Sequence, residues 1–277
     1  MPPNDGAGSV EVEARSYSYD AGPVGPPLTR AVAVEAPVQI VIGASPFAVM
    51  MATPCDLEDF AYGFALTEGI ADRVDDIRGV EIEEGADGWR IAVALTGEKL
   101  RAHLARRRLM SGRTGCGLCG IEDISQMPSP RRRPGPGPAI EPASIGAALA
   151  ELELRQPLNS LTRAVHGAAW CARDGRIVLA REDVGRHNAL DKTIGALWRS
   201  RIGAGNGFFV ITSRCSFEMV AKAAVFGAGA LVSLSAPTSL ALERARQFGV
   251  ALIAVARADK AISFATAGNE ADGGMAA

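Results

Sequence analysis

Cysteine, histidine and aromatic residues are all scarce in this chain, and no apolar run is long. Five cysteines in 277 residues cannot form a disulfide scaffold, and an odd number leaves at least one thiol unpaired, as a reducing compartment allows. No uninterrupted apolar stretch reaches bilayer-spanning length, and the first twenty residues carry acids where a secretory signal needs an apolar core. Charge is nearly balanced, Lys+Arg 29 against Asp+Glu 31, so a chain-wide footprint for nucleic acid is missing. The expectation is a soluble, cytoplasmic globular protein with neither membrane nor nucleic acid among its partners. A hydrophobic content of 48% fills its core, with 5% aromatics leaving small aliphatics as the main material.

Composition divides the chain into four segments. Residues 1–29, rich in Pro, Gly and Ser, read as a flexible N-terminus. Residues 30–127 read as a smaller α+β domain. Three short apolar runs at 31–34, 38–42 and 47–51 suggest strands, and Leu57, Phe60, Ala61, Phe64 and Ala65 fall at helical spacing behind the N-cap candidate Asp56. A hairpin over 78–82 and 89–95 and a basic helix from Glu98 to Met110 follow. Residues 128–142, built on Pro128, Arg131, Arg132, Arg133, Pro134 and Pro136, read as an extended linker.

Residues 143–277 alternate strands and helices. Asp174-Gly175 marks a hairpin turn, and apolar runs near 208–212, 231–234 and 250–256 alternate with helices at 184–198, 216–226 and 238–248. This order predicts an α/β domain with a mixed, mostly parallel sheet and helices on both faces.

Three constellations carry chemistry. Cys116-Gly117-Leu118-Cys119 is a CxxC among glycines, with Arg113 nearby to favour a thiolate. A structural zinc site lacks its other two ligands, and a redox pair normally opens a helix after a strand. An incidental loop pair and a mobile sulfur-handling thiol remain as readings. The second constellation is the string Glu182-Asp183-Val184-Gly185-Arg186-His187-Asn188-Ala189-Leu190-Asp191-Lys192, at a strand-to-helix passage where α/β sheets place ligands. Taken singly, Glu182 and Asp183 read as helix caps, and Arg186, Asp191 and Lys192 as solvated. His187 with Asn188 is the candidate site, and His166 a core strand histidine. Third, the turns at 212–216 and 235–239 offer hydroxyls, Arg214 and helix N-termini that suit phosphate, with simple capping by Ser216 and Thr238 as the competing reading. Cys171 and Cys215 read as packing residues, and His103 as solvated on its basic helix.

Taken together these blocks resemble the FdhD family of formate dehydrogenase accessory sulfurtransferases, over residues 30–265. The resemblance rests on residues 62–70, the CxxC loop, Val165-His166-Gly167-Ala168-Ala169, the string from Glu182 to Lys192, Ser216-Phe217-Glu218-Met219-Val220, and Ser235-Ala236-Pro237-Thr238. The family usually has a Gly in the turn that here reads Thr212-Ser213-Arg214-Cys215. The resemblance implies a cytidine-deaminase-like three-layer sandwich for the C-terminal domain. It also implies a sulfur carrier that takes sulfur from a cysteine desulfurase as a persulfide on Cys116, with Cys119 assisting. The sulfur would pass to the molybdenum cofactor, bis-molybdopterin guanine dinucleotide, for the formate dehydrogenase catalytic subunit. Cofactor contacts would map to Val255, Ala256, Arg257, Ala258, Asp259 and Lys260, with Arg214 and Ser235 adding guanine-nucleotide contacts for which GDP serves as a mimic. A homodimer is implied, and no structural metal. Zinc deaminase chemistry is excluded, because His187 is followed by Asn188 and Ala189 rather than H-x-E, and no P-C-x-x-C opens the next helix. A non-enzymatic chaperone that only holds the cofactor is the alternative function.

Overall fold

The computed structural model describes residues 8–108, 134 and 140–265. The chain begins with an antiparallel hairpin of β1 (Ser9–Ser18) and β2 (Gly22–Ala33), in register Ser9↔Ala33. A loose segment was the expectation for residues 8–29. The prolines and glycines that hid the strand pattern sit in a two-stranded ribbon whose residues are largely exposed, so no period-2 burial is imposed on them.

Next come β3 (Ala36–Ile42), β4 (Ser45–Ala52), α1 (Leu57–Thr67), β5 (Ile77–Gly85), β6 (Gly88–Leu95) and α2 (Gly97–Arg108). The four strands form one sheet in the order β4-β3-β6-β5, parallel only between β3 and β6. Val38, Ile40, Ile42, Ile91 and Val93 turn one face of it onto Leu57, Phe60, Ala61 and Phe64 of α1. Burying each phenylalanine contributes about 2–3 kcal/mol. Asp56 precedes α1 in a left-handed conformation, φ 52, and makes no side-chain cap; its carboxylate lies 3.3 Å from Arg181 Nε instead. His103, expected in solvent, is buried with its ring against Phe47.

The C-terminal sheet has six strands, in the order β12-β11-β10-β9-β7-β8. These are β7 (His166–Ala172), β8 (Ile177–Asp183), β9 (Gly207–Ile211), β10 (Ala230–Ser233), β11 (Ala251–Ala254) and β12 (Ile262–Ala265). Pairing is parallel in the centre, β9 to β10 to β11, and antiparallel at β7–β8, β7–β9 and β11–β12. The sheet is therefore mixed, with its parallel part confined to the strands joined by helical crossovers.

Two helices escaped the sequence reading, α3 (Pro142–Leu152) and α4 (Pro157–Thr162); each starts on a proline, Pro142 being the last residue of the expected linker. Proline is suited to that first position because its fixed φ and missing N–H cost nothing there. The remaining helices are α5 (Arg186–Arg199), α6 (Phe217–Phe226) and α7 (Ser239–Phe248). Along β7, Ala168 and Trp170 face α5 and α6, while Ala169 and Cys171 face Ile145 and Ala148 of α3. A strand covered on both sides loses the polar alternation, which is why it reads as a continuous apolar run. The result is a three-layer arrangement, α3 on one face and α5, α6 and α7 on the other.

Helices α1 and α5 join the two sheets. They cross at Gly63 and Gly195, where a Cβ on Gly63 would lie 1.8 Å from the Asp191 carbonyl oxygen and one on Gly195 1.8 Å from that of Asp59. Nothing larger than hydrogen fits at either position.

Candidate functional site at the sheet's carboxyl edge

Both ends of the string from Glu182 to Lys192 are buried, with residues 184–187 half-buried between them, against the expectation that Asp191 and Lys192 are solvated. Asp183 and Lys192 are both 0% exposed and 2.6 Å apart. Asp183 Oδ2 also accepts from the Thr53 amide at 3.0 Å, and Oδ1 from the Gly185 amide and from Asn188 Nδ2. Lys192 Nζ donates to the Thr53 carbonyl at 2.8 Å, and Asn188 Nδ2 to the Met51 carbonyl at 2.8 Å. Glu182 does not cap α5. Its carboxylate accepts from the amides of Leu158 and Asn159 at the start of α4, while burial pushes its pKa up against those bonds.

One turn further along α5, Asp191 meets Lys222 Nζ at 2.8 Å and accepts from Thr67 Oγ1 at 2.8 Å. Burial opposes the charge on both groups: it raises the Asp191 carboxyl in spite of Lys222, whereas on Lys222 the charges of Asp191 and Glu68 prevail and raise its pKa. Asp59, also buried, is held by Arg181 at 2.8 Å and by Arg199. Thr53, Asp59, Thr67 and Glu68 belong to the N-terminal unit, and their partners to the C-terminal one. The densest motif in the sequence is thus a latch between the two sheets.

The turns at the carboxyl ends of the parallel strands behave differently. The turn after β9 runs beside the turn after β10: the Cys215 amide donates to the Ala236 carbonyl at 3.2 Å and the Thr238 amide to the Cys215 carbonyl at 3.0 Å. After β11, the Val255 amide donates to the Ser235 carbonyl at 3.2 Å and the Ala256 amide to the Ser233 carbonyl at 3.1 Å. Arg214, Ser235 and residues 255–260 are therefore brought to one edge, the position where open α/β sheets bind ligands. Arg214, Asp259 and Lys260 are exposed there. Arg257 is turned back, its guanidinium donating to the Leu234 and Ala256 carbonyls. Val255 holds φ 54, a conformation costly for a β-branched residue and of the kind that clusters at functional sites.

His187 borders this edge. Its Nε2 lies 3.0 Å from Glu218 Oε2, which also accepts from Ser216 Oγ at 3.0 Å. Ser216 thus spends its hydroxyl on Glu218 rather than on capping α6, whereas Thr238 does cap α7 through the Ala241 amide. Burial would raise the Glu218 carboxyl, but His187, Ser216 and Arg186 carry it below its ordinary value. His166, half-buried on β7, is pushed down by burial and by Arg186. Glu218 was invisible as the partner of His187 in sequence, since it lies on the next helix.

Cys116 and Cys119 lie outside the described residues. Cys171 and Cys215 are packed thiols, buried completely and pushed up to about 12 by that burial. Cys55 is raised by burial as well. Among the described residues no three His, Cys, Asp or Glu side chains gather as metal ligands, and no helix is long and apolar enough to cross a membrane.

The sequence is 47% identical over 226 residues to the sulfur carrier protein FdhD of Xanthomonas axonopodis pv. citri, covering 82% of this chain and 80% of that one. It is 45% identical over 237 residues to the sulfur carrier protein FdhD of Cupriavidus necator, with 84% and 81% covered. The fold matches the crystal structure of a protein from Desulfotalea psychrophila described as a formate dehydrogenase accessory protein. That match has a TM-score of 0.69 at 26% identity, over 93% of this chain and 96% of that one. The FdhD/NarQ family pattern spans residues 33–269, and the chain belongs to that family.

Proposed function

We propose that this chain is a sulfur carrier serving formate dehydrogenase, which accepts sulfur on Cys116 and passes it to a molybdenum cofactor held at the carboxyl edge of the C-terminal sheet. The observation that carries the reading is the meeting of three strand exits. Arg214, Ser235 and residues 255–260 come together there, in a chain whose relatives are named sulfur carrier proteins. Loading is a thiol–persulfide exchange. The Cys116 thiolate attacks the outer sulfur of a cysteine desulfurase persulfide, that S–S bond breaks, and the desulfurase leaves as a cysteine thiolate. Release uses Cys119, whose thiolate attacks the inner sulfur of the Cys116 persulfide and expels hydrosulfide toward the cofactor. The two thiols become a disulfide, so they supply the two electrons that reduce the sulfane sulfur, and a cellular dithiol restores them.

The cofactor, bis-molybdopterin guanine dinucleotide, is the substrate of the transfer. Its phosphates suit the exposed cations and backbone amides of the edge, and residues 255–260 with Arg214 and Ser235 would hold it. The carrier acts in the reducing cytoplasm, as a homodimer, between a desulfurase and the formate dehydrogenase catalytic subunit.

Incubation with a desulfurase and cysteine, followed by peptide mass spectrometry, tests the loading step. One added sulfur on the peptide containing Cys116 and Cys119 is expected. An unmodified peptide beside an active desulfurase refutes the carrier role. Cys116→Ala should abolish formate dehydrogenase activation while GDP binding persists; full activation by that variant would favour the cofactor-holding chaperone instead.

A further inference from the structure

The turns leaving β9 and β10 meet on one buried hydroxyl. Ser233, the last residue of β10, is 0% exposed. Its Oγ lies 2.9 Å from the Ser213 carbonyl oxygen and 2.9 Å from that of Ser235, and it accepts from the Ser235 amide at 3.2 Å. A hydroxyl has one proton to give, so the two carbonyls share it while the amide occupies an acceptor position. The third turn is tied to the same residue, because Ala256 donates to the Ser233 carbonyl.

This pin has a consequence for the amides on the far side of each peptide. A trans peptide points its C=O and N–H in opposite directions, and the described chain has no cis bonds. Drawing the Ser213 and Ser235 carbonyls toward Ser233 turns the N–H groups of Arg214 and Ala236 away from it. Both residues are exposed, the Cys215–Pro237 bridge sets them side by side, and neither amide finds an acceptor among the described residues. Two open N–H donors beside a guanidinium form a cradle for phosphate oxygens.

We infer that Ser233 is a positioning residue for a diphosphate subsite made of the Arg214 and Ala236 amides and the Arg214 side chain. The inference rests on the nucleotide-binding reading proposed above and assigns the phosphates, rather than the base, to this pair of turns.

Calorimetric titration of the full chain with GDP and with guanosine separates the possibilities. Ser233→Ala should weaken GDP about tenfold and guanosine by less than about twofold, with the far-UV circular dichroism unchanged. Equal losses for both ligands, or none for GDP, would overturn the role of Ser233. A wild-type chain that binds neither ligand overturns the nucleotide-binding reading itself, and the subsite with it. Should the variant fail to fold, hydrogen exchange on the wild type decides. GDP, but not guanosine, should slow exchange in the peptides covering residues 213–216 and 235–238. Unaltered exchange there at saturating GDP would sink the inference.

Discussion

Where β8 passes into α5, Asp183, Asp191 and Lys192 are buried and answered; at the exits of β9 and β11, Arg214, Asp259 and Lys260 stand exposed. Asp183, Asp191 and Lys192 have almost no exposed surface, and each meets an opposite charge within 2.8 Å. Arg214, Asp259 and Lys260 lie in solvent, on turns whose side chains form no ion pairs among the described residues. Burying an ion removes several kcal/mol of hydration, so such a group persists only when the fold supplies a complete set of partners. A latch therefore has little left with which to bind a ligand. An open edge keeps its donors available and contributes less to stability.

The largest effect should follow from breaking the latch on one side. Lys192→Met leaves Asp183 buried without its counter-charge, and the loss should be about 3–5 kcal/mol in urea unfolding. Pairing it with Asp183→Asn removes the stranded charge and should return part of that loss. A single-variant cost below about 1 kcal/mol would mean that the buried pair does not hold the two sheets together.

The helix crossing should respond next. In an ordinary helix, Gly→Ala stabilises by roughly 0.5–1 kcal/mol. At Gly195 the new methyl group meets the Asp59 carbonyl and the Gly63 amide, so the sign reverses. Gly195→Ala should cost about 1–3 kcal/mol by thermal unfolding, the usual range for forcing an atom into packed space. A neutral or stabilising result would show that α1 and α5 can separate freely, and would weaken the case for a rigid latch.

Much of this architecture could be read from sequence wherever one face is buried. Alternation gives β6, helical spacing gives α1 and α5, and short apolar runs give β3 and β7, the last continuous because both its faces are covered. The β1–β2 ribbon escaped because its residues are mostly exposed, α3 because its opening proline ends the linker-like stretch, and α4 because its six residues include no buried face. The candidate edge was legible in outline, since Arg214, Ser235 and residues 255–260 all follow strand-like runs. Its internal wiring was not, as Ser233 to Ser213 and His187 to Glu218 are contacts between elements distant along the chain. The string from Glu182 to Lys192 misled in an instructive way. Dense ionisable residues suggest a site, yet here Lys192 and Asp191 serve Thr53 and Thr67, partners more than a hundred positions away.

The smallest effect concerns His166, which lies between the two regions, paired with Asp183 across the sheet and close to Arg186 and His187. Burial and the Arg186 charge hold its folded-state pKa below the ordinary 6.5. In the interval between the two values the unfolded chain binds more protons than the folded one, so stability rises with pH there. The contribution is complete above 6.5 and declines as pH falls from 6.5 through the lower folded-state value. His166→Gln removes that slope. Denaturant unfolding at closely spaced pH values from about 7 down to about 5 should show a shallow decline in the wild type that is flatter in the variant. Identical slopes would place His166 in water in both states. The open edge would then begin at β7 itself, and the boundary between answered and unanswered charge would move toward the latch.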